Sequence, residues 1–134
     1  GEYAILCDED DVNLFSPFGR VIGLSSLPSL NNSRDSLRLL TANGELIDQV
    51  FYEIAWYRGS DKSEGGWSLE RIDLSPTGCN DPFNWLPSEA TFGGTPGQVN
   101  SVVGSYTDET APLLEGSLIL STNELRLRFN EQMD

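Results

Sequence analysis

The dipeptide Asn43–Gly44 stands between two apolar runs, "LRLLT" (37–41) and "LIDQVFYEI" (46–54). Asn and Gly tolerate the positive φ angles of a tight hairpin turn, so this spacing predicts two antiparallel strands joined by a short loop. Ile47, Tyr52 and Ile54 interrupt a strict period of two in the second run. That interruption predicts a twist or bulge near residues 50–53.

The rest of the chain is punctuated in the same way. "EYAILC" (2–7) and "FGRVIGL" (18–24) are apolar enough for short strands, with a loop and one helical turn between them. "SSLPSLNNSRDS" (25–36) is a turn-rich connector and "AWYRGSDKSEGG" (55–66) a long loop. "WSLERIDL" (67–74) alternates: Trp67, Leu69 and Arg71 share one face, Ser68, Glu70 and Ile72 the other. Which face turns inward stays open. "NWLPSEATFGGTPGQVNS" (84–101) holds neither a helix nor a long central strand, because prolines and glycines interrupt it throughout. Its rings, Trp85 and Phe92, are expected to anchor it to a core. Gly93 and Gly94 are expected to bring the backbone close to a sheet. Thr95–Pro96–Gly97 is expected to close the segment with a tight turn. A ligand platform built on Trp85 and Phe92 is the sharper alternative.

No stretch sustains a helical period beyond a turn or two. Short strands at close spacing with Gly, Pro and Asn turns point to an all-β sandwich or barrel. Residues 1–104 are expected to form one β-domain, 105–116 a linker, and 117–134 a second hairpin turning at Thr122–Asn123.

Charge and residue types narrow the chemistry. With 8 Lys+Arg against 21 Asp+Glu the net charge is −13, which disfavours nucleic acid and anionic membrane as partners. No window approaches the ~18 apolar residues of a membrane span. The sequence has no histidine, which removes His-based acid–base and nucleophilic sites and most zinc sites. Glu53, Glu64, Glu70 and Asp73 are carboxylates of the type that hydrolyse glycosides, but as solvated edge charges they need no such role. No cofactor is expected. "CDEDDV" (7–12) offers oxygen ligands for weak Ca²⁺ binding, though it lacks the spaced pattern of a calcium loop. Trp56, Tyr57 and Trp67 are candidates for stacking on sugar rings; the plainer expectation is a loop pinned by Trp56. "NNS" (31–33) fits a glycosylation sequon, a short pattern that carries little weight by itself.

In order, "LNNSRDSLRL" (30–39), "GELIDQVFYEI" (44–54), "GGWSLERID" (65–73), "NWLPS" (84–88) and "GGTPGQVNS" (93–101) resemble a bacterial lamin tail domain. The resemblance spans residues 2 to about 104. It lacks the strands with which that family usually opens. "LILSTNELRLRFNEQMD" (118–134) resembles the opening of a bacterial immunoglobulin-like domain. The resemblance implies an immunoglobulin-like β-sandwich with no enzymatic activity. It also implies a place in a larger secreted or cell-surface bacterial protein, as a spacer, tether or adhesion module. Partners would then be other domains of the same parent, or protein or carbohydrate at the cell surface. A carbohydrate-binding module, with or without assistance from calcium, is the alternative.

An exported setting also permits a disulfide between Cys7 and Cys79; two free thiols are the other outcome. Missing opening strands would leave an unpaired edge, and such edges recruit strands. The 117–134 hairpin is therefore expected to cover the gap in its own chain, or in a neighbour as a strand-swapped homodimer.

Overall fold

The computed structural model describes residues 2–74, 81–105 and 111–129. The architecture is all-β, with strands in small sheets and little helix. The strands are β1 (Ile5–Asp8), β2 (Val21–Leu24), β3 (Arg34–Leu40), β4 (Leu46–Glu53), β5 (Leu69–Arg71), β6 (Trp85–Pro87), β7 (Leu114–Ser121) and β8 (Glu124–Phe129). Among the described residues they pair only two by two: β1 with β2 in parallel, and β3–β4, β5–β6 and β7–β8 antiparallel.

The parallel pair departs from a simple run of hairpins. Its crossover is one turn of helix, α1 (Val12–Phe15), flanked by 3-10 turns at Glu9–Asp11 and Ser16–Phe18. The acidic run starts that crossover: the Asp8 carboxylate accepts from the Asp10 N–H. A Cβ on Gly23 would lie 2.6 Å from Val12 Cγ2, so glycine is what lets the crossover lie on β2.

The β3–β4 hairpin forms, but not by the expected turn. Only Gly44 takes a positive φ, +85°; Asn43 does not. The Gly44 N–H donates to the Thr41 carbonyl and the Thr41 N–H to the Glu45 carbonyl. The loop is thus the three residues Ala42–Asn43–Gly44, with glycine in the left-handed position. The register runs without a break from Asp48 to Glu53 and shifts between Leu39 and Leu40, which leaves Ile47 as the extra residue. The bulge therefore lies at the turn end of β4, not at 50–53. A three-residue loop with a left-handed glycine commonly carries a bulge beside it, which is why the irregularity sits there.

The interior is polar to an unusual degree. Among the described residues the buried apolar side chains are Cys7 and Trp56, while Glu70, Asp81, Asn84 and Ser88 are buried polar ones. The exposed surface totals 10017 Å², against ~7,000 Å² for a compact monomer of this mass. Among the described residues, apolar side chains on the strands are open to solvent: Leu37, Leu39, Phe51, Leu118, Ile119, Leu125 and Leu127 are all exposed. Cys7 is buried and carries a free thiol, which burial and then Asp11 and Asp8 push above its ordinary pKa. Its expected partner, Cys79, lies outside the described residues.

Candidate functional site

The residues that carry the motifs converge on one carboxylate. Glu70, at the centre of β5, is 4% exposed. Its Oε1 accepts from the Thr95 hydroxyl at 2.7 Å. Its Oε2 accepts from both the Ser101 N–H and the Ser101 hydroxyl, each at 2.7 Å. The buried Ser88 hydroxyl completes the cluster, 3.1 Å from the Ser101 hydroxyl. Burial pushes this carboxyl up, but the bonds from Ser101 and Thr95 outweigh it and hold the group below the usual carboxylate range. Glu70 is therefore ionised and saturated with donors. It is not the solvated edge charge expected from the sequence: three donors, two on Oε2 and one on Oε1, hold it inside the fold.

The network extends along both sides of β5. The Asn84 side chain accepts from the Asp73 N–H at 2.8 Å and donates to the Asp73 carbonyl at 3.0 Å. The Asn100 side chain donates to the Arg71 carbonyl. The Ser88 N–H donates to the Ser68 carbonyl, the Ser68 N–H to the Gly93 carbonyl, and the Gly104 N–H to the Ile72 carbonyl. β5 thus sits between β6 on one side and the 93–104 segment on the other. Glu70 turns inward because that side offers hydroxyls and an amide, which no hydropathy pattern could reveal; Ser68, two residues earlier, stays exposed.

Close approach fixes the glycines. Gly93 has φ +87°, and a Cβ there would overlap the Gly66 carbonyl oxygen. Gly94 passes beside Ser68, its added Cβ 3.0 Å from Oγ. The Gln98 N–H donates to the Thr95 carbonyl across Pro96 and Gly97, with Gly97 at φ +69°. Proline then glycine at the centre is the pattern of a type II turn. Gly93→Ala should lower stability by about 1–3 kcal/mol through left-handed strain and that overlap. An unchanged denaturation midpoint would contradict it.

The aromatic residues divide. Trp56 is 8% exposed and meets Trp85 with ring centroids 5.8 Å apart. It offers no face to a sugar. Trp85 itself is half-buried. The Tyr57 hydroxyl donates to the Trp67 carbonyl at 2.6 Å, and burial pushes its pKa up. Lys62 Nζ sits 4.5 Å over the Trp67 ring and donates to the Ser88 carbonyl, so one face of that ring is taken. Phe92 overturns the expectation of a buried anchor: at 99% exposure it projects from the turn that Gly93 makes possible. The anchoring is done by hydrogen bonds to Glu70 instead, and a polar lock of that kind leaves the ring free to point outward.

The described residues also line open clefts. One, of about 610 Å³, lies between the Leu37–Val50–Tyr52 face of the β3–β4 hairpin and the rings of Tyr57, Trp67 and Trp85. Another, of about 520 Å³, runs between Phe15 and Phe18 and the Phe92–Pro96 turn. Glu64 borders the first, Glu70 the second and Glu53 a third of about 540 Å³, so these three carboxylates line different clefts, while Asp73 meets the Asn84 side chain through its backbone. Among the described residues no three Cys, Asp or Glu side chains converge as a metal site, and no helix is long and apolar enough to cross a membrane. No family model, curated protein or solved structure matches the chain.

Proposed function

We propose that this chain is a non-catalytic structural and interaction module, an immunoglobulin-like sandwich of lamin-tail type, within a larger secreted or cell-surface bacterial protein. It spaces, tethers or adheres by laying apolar strand faces against other β-structure. The observation that carries this reading is the uncovered apolar surface of its two long hairpins. Contiguous exposed apolar faces mark interaction surfaces. The order of motifs supports the lamin-tail assignment, and the use of Glu70, Ser88, Thr95 and Ser101 as an internal lock supports a scaffold over a reaction centre.

The test compares two sets of variants in the parent protein, read as the fraction retained on the cell surface. Leu39→Asp and Phe51→Asp should reduce retention strongly, while Glu53→Gln and Glu64→Gln should leave it unchanged. The opposite pattern, with silent face variants and loss at the carboxylates, would return the reading to catalysis.

A further inference from the structure

We infer that the cleft between Phe15, Phe18 and the Phe92–Pro96 turn binds an organic cation of the quaternary ammonium type, held by the phenylalanine rings beside the Glu70 carboxylate. The site stands apart from the apolar hairpin faces on which the functional reading rests, and it gives the module a ligand of its own.

A buried charge without a counter-charge points to this ligand. Glu70 is 4% exposed, and the groups that bond its carboxylate are neutral: the Thr95 hydroxyl and the Ser101 amide and hydroxyl. They satisfy hydrogen bonding and leave the negative charge in place. Buried charges are ordinarily paired with an opposite one. The chain supplies none here. Its 8 Lys and Arg all fall within the described residues, and none lies within ion-pair distance of Glu70. Arg58 lies over the Phe83 ring, Lys62 over the Trp67 ring, and Arg128 pairs with Glu115.

The lining suits a cation of one kind. Phe15 and Phe18 line the cleft from the crossover and Phe92 from the turn, and no Lys or Arg joins them. Phenylalanine rings carry negative faces, so rings and carboxylate attract the same charge. A metal ion needs several oxygen ligands, and one carboxylate already holding three donors does not provide them. A quaternary ammonium needs no acceptor: its methyl groups pack on the rings while its charge offsets that of Glu70. The cleft, at about 520 Å³, has the size of a small-molecule site.

Both walls are fixed before a ligand arrives, which lowers the cost of binding. A Cβ on Gly97 would lie 2.6 Å from the Phe18 carbonyl oxygen, so the turn rests directly on the crossover. Gly93 lies against the Gly66 carbonyl, and Thr95 is tied to Glu70. Phe92 therefore leaves the turn at a set position, with its ring 99% exposed and free to close over a cation. Of the two rings weighed as a platform from the sequence, Phe92 lines this cleft and Trp85 the larger one.

The test titrates the full chain with choline and with the neutral alcohol that carries a tert-butyl group in place of the trimethylammonium. Phenylalanine ring protons are followed by NMR. Choline should shift the Phe15, Phe18 and Phe92 signals saturably, and the alcohol should bind about tenfold more weakly. Phe18→Leu and Phe92→Leu keep apolar bulk but remove the ring. Each should weaken choline several-fold and leave the alcohol unchanged. Glu70→Gln should abolish the preference for choline. If that variant does not fold, the leucine variants decide. Equal affinity for choline and the alcohol overturns the inference, since it marks apolar filling alone. Choline binding that the leucine variants do not weaken overturns it too, as loose association with a chain of net charge −13. So does the absence of a saturable shift, or a folded Glu70→Gln variant that keeps the preference. Failure here leaves the functional reading standing, because that reading is tested by cell-surface retention of the parent.

Discussion

Replacing Trp56 by alanine should lower the unfolding free energy by about 3–5 kcal/mol, the range for large aromatic truncations in cores. Trp56 is one of two buried apolar side chains among the described residues, and Trp85 rests on it. Domains of ordinary stability have only ~5–15 kcal/mol in total, so the variant should be close to unfolding at room temperature. Phe92→Ala is the control. With its ring almost wholly in solvent it should shift stability by less than ~0.5 kcal/mol. Urea denaturation followed by tryptophan fluorescence and circular dichroism measures both. Equal midpoints for Trp56→Ala and the wild type would show that the 54–57 turn is not part of the core.

Glu70→Ala should cost about 2–4 kcal/mol. Three bonds to the carboxylate, from Thr95 and twice from Ser101, are lost. Each hydrogen bond to a charged group contributes ~1.5–3 kcal/mol, and water entering the vacated space recovers part of the sum. The pH dependence has a definite sign. Because the folded pKa lies below the unfolded one, the folded state binds fewer protons, and the stabilisation is full above the ordinary carboxylate pKa. It is lost as the pH falls through the depressed folded value. Wild type should therefore weaken in acid more steeply than Glu70→Gln, and the two curves should converge at the lowest pH. Parallel curves across the acid range would show that Glu70 carries no such linkage.

Local chemistry was legible in the sequence where one residue type has one physical use. Gly44, Gly93 and Gly97 all occupy left-handed turns, and only glycine does so without strain. The strand pair around residues 37–54 was legible for the same reason, although the loop gained a residue and the bulge moved to Ile47. Burial was not legible. Phe92 was expected as a buried anchor and Glu70 as a solvated edge charge, with the inward face of 67–74 left open; the structure exposes the ring and buries the carboxylate. A carboxylate becomes a core residue only when hydroxyls 18 to 31 positions away, at Ser88, Thr95 and Ser101, arrive together. The spacing of "SLE", "LPS", "GTP" and "VNS" held that signal, because three hydroxyl residues recur among turn residues that need none. The parallel pairing of β1 with β2 gave no local sign, since a 12-residue crossover looks the same as a loop between antiparallel strands.

The idea that the apolar hairpin faces are there to be covered is tested most directly by amide exchange. The comparison is between the isolated chain, diluted until monomeric, and the same residues within the parent protein. Amides at 34–53 and 114–129 should exchange quickly in the first and much more slowly in the second, while those at 68–72 and 84–104 should be equally protected in both. Equal exchange of the two hairpins in both settings would show that nothing covers them and would contradict the interaction role.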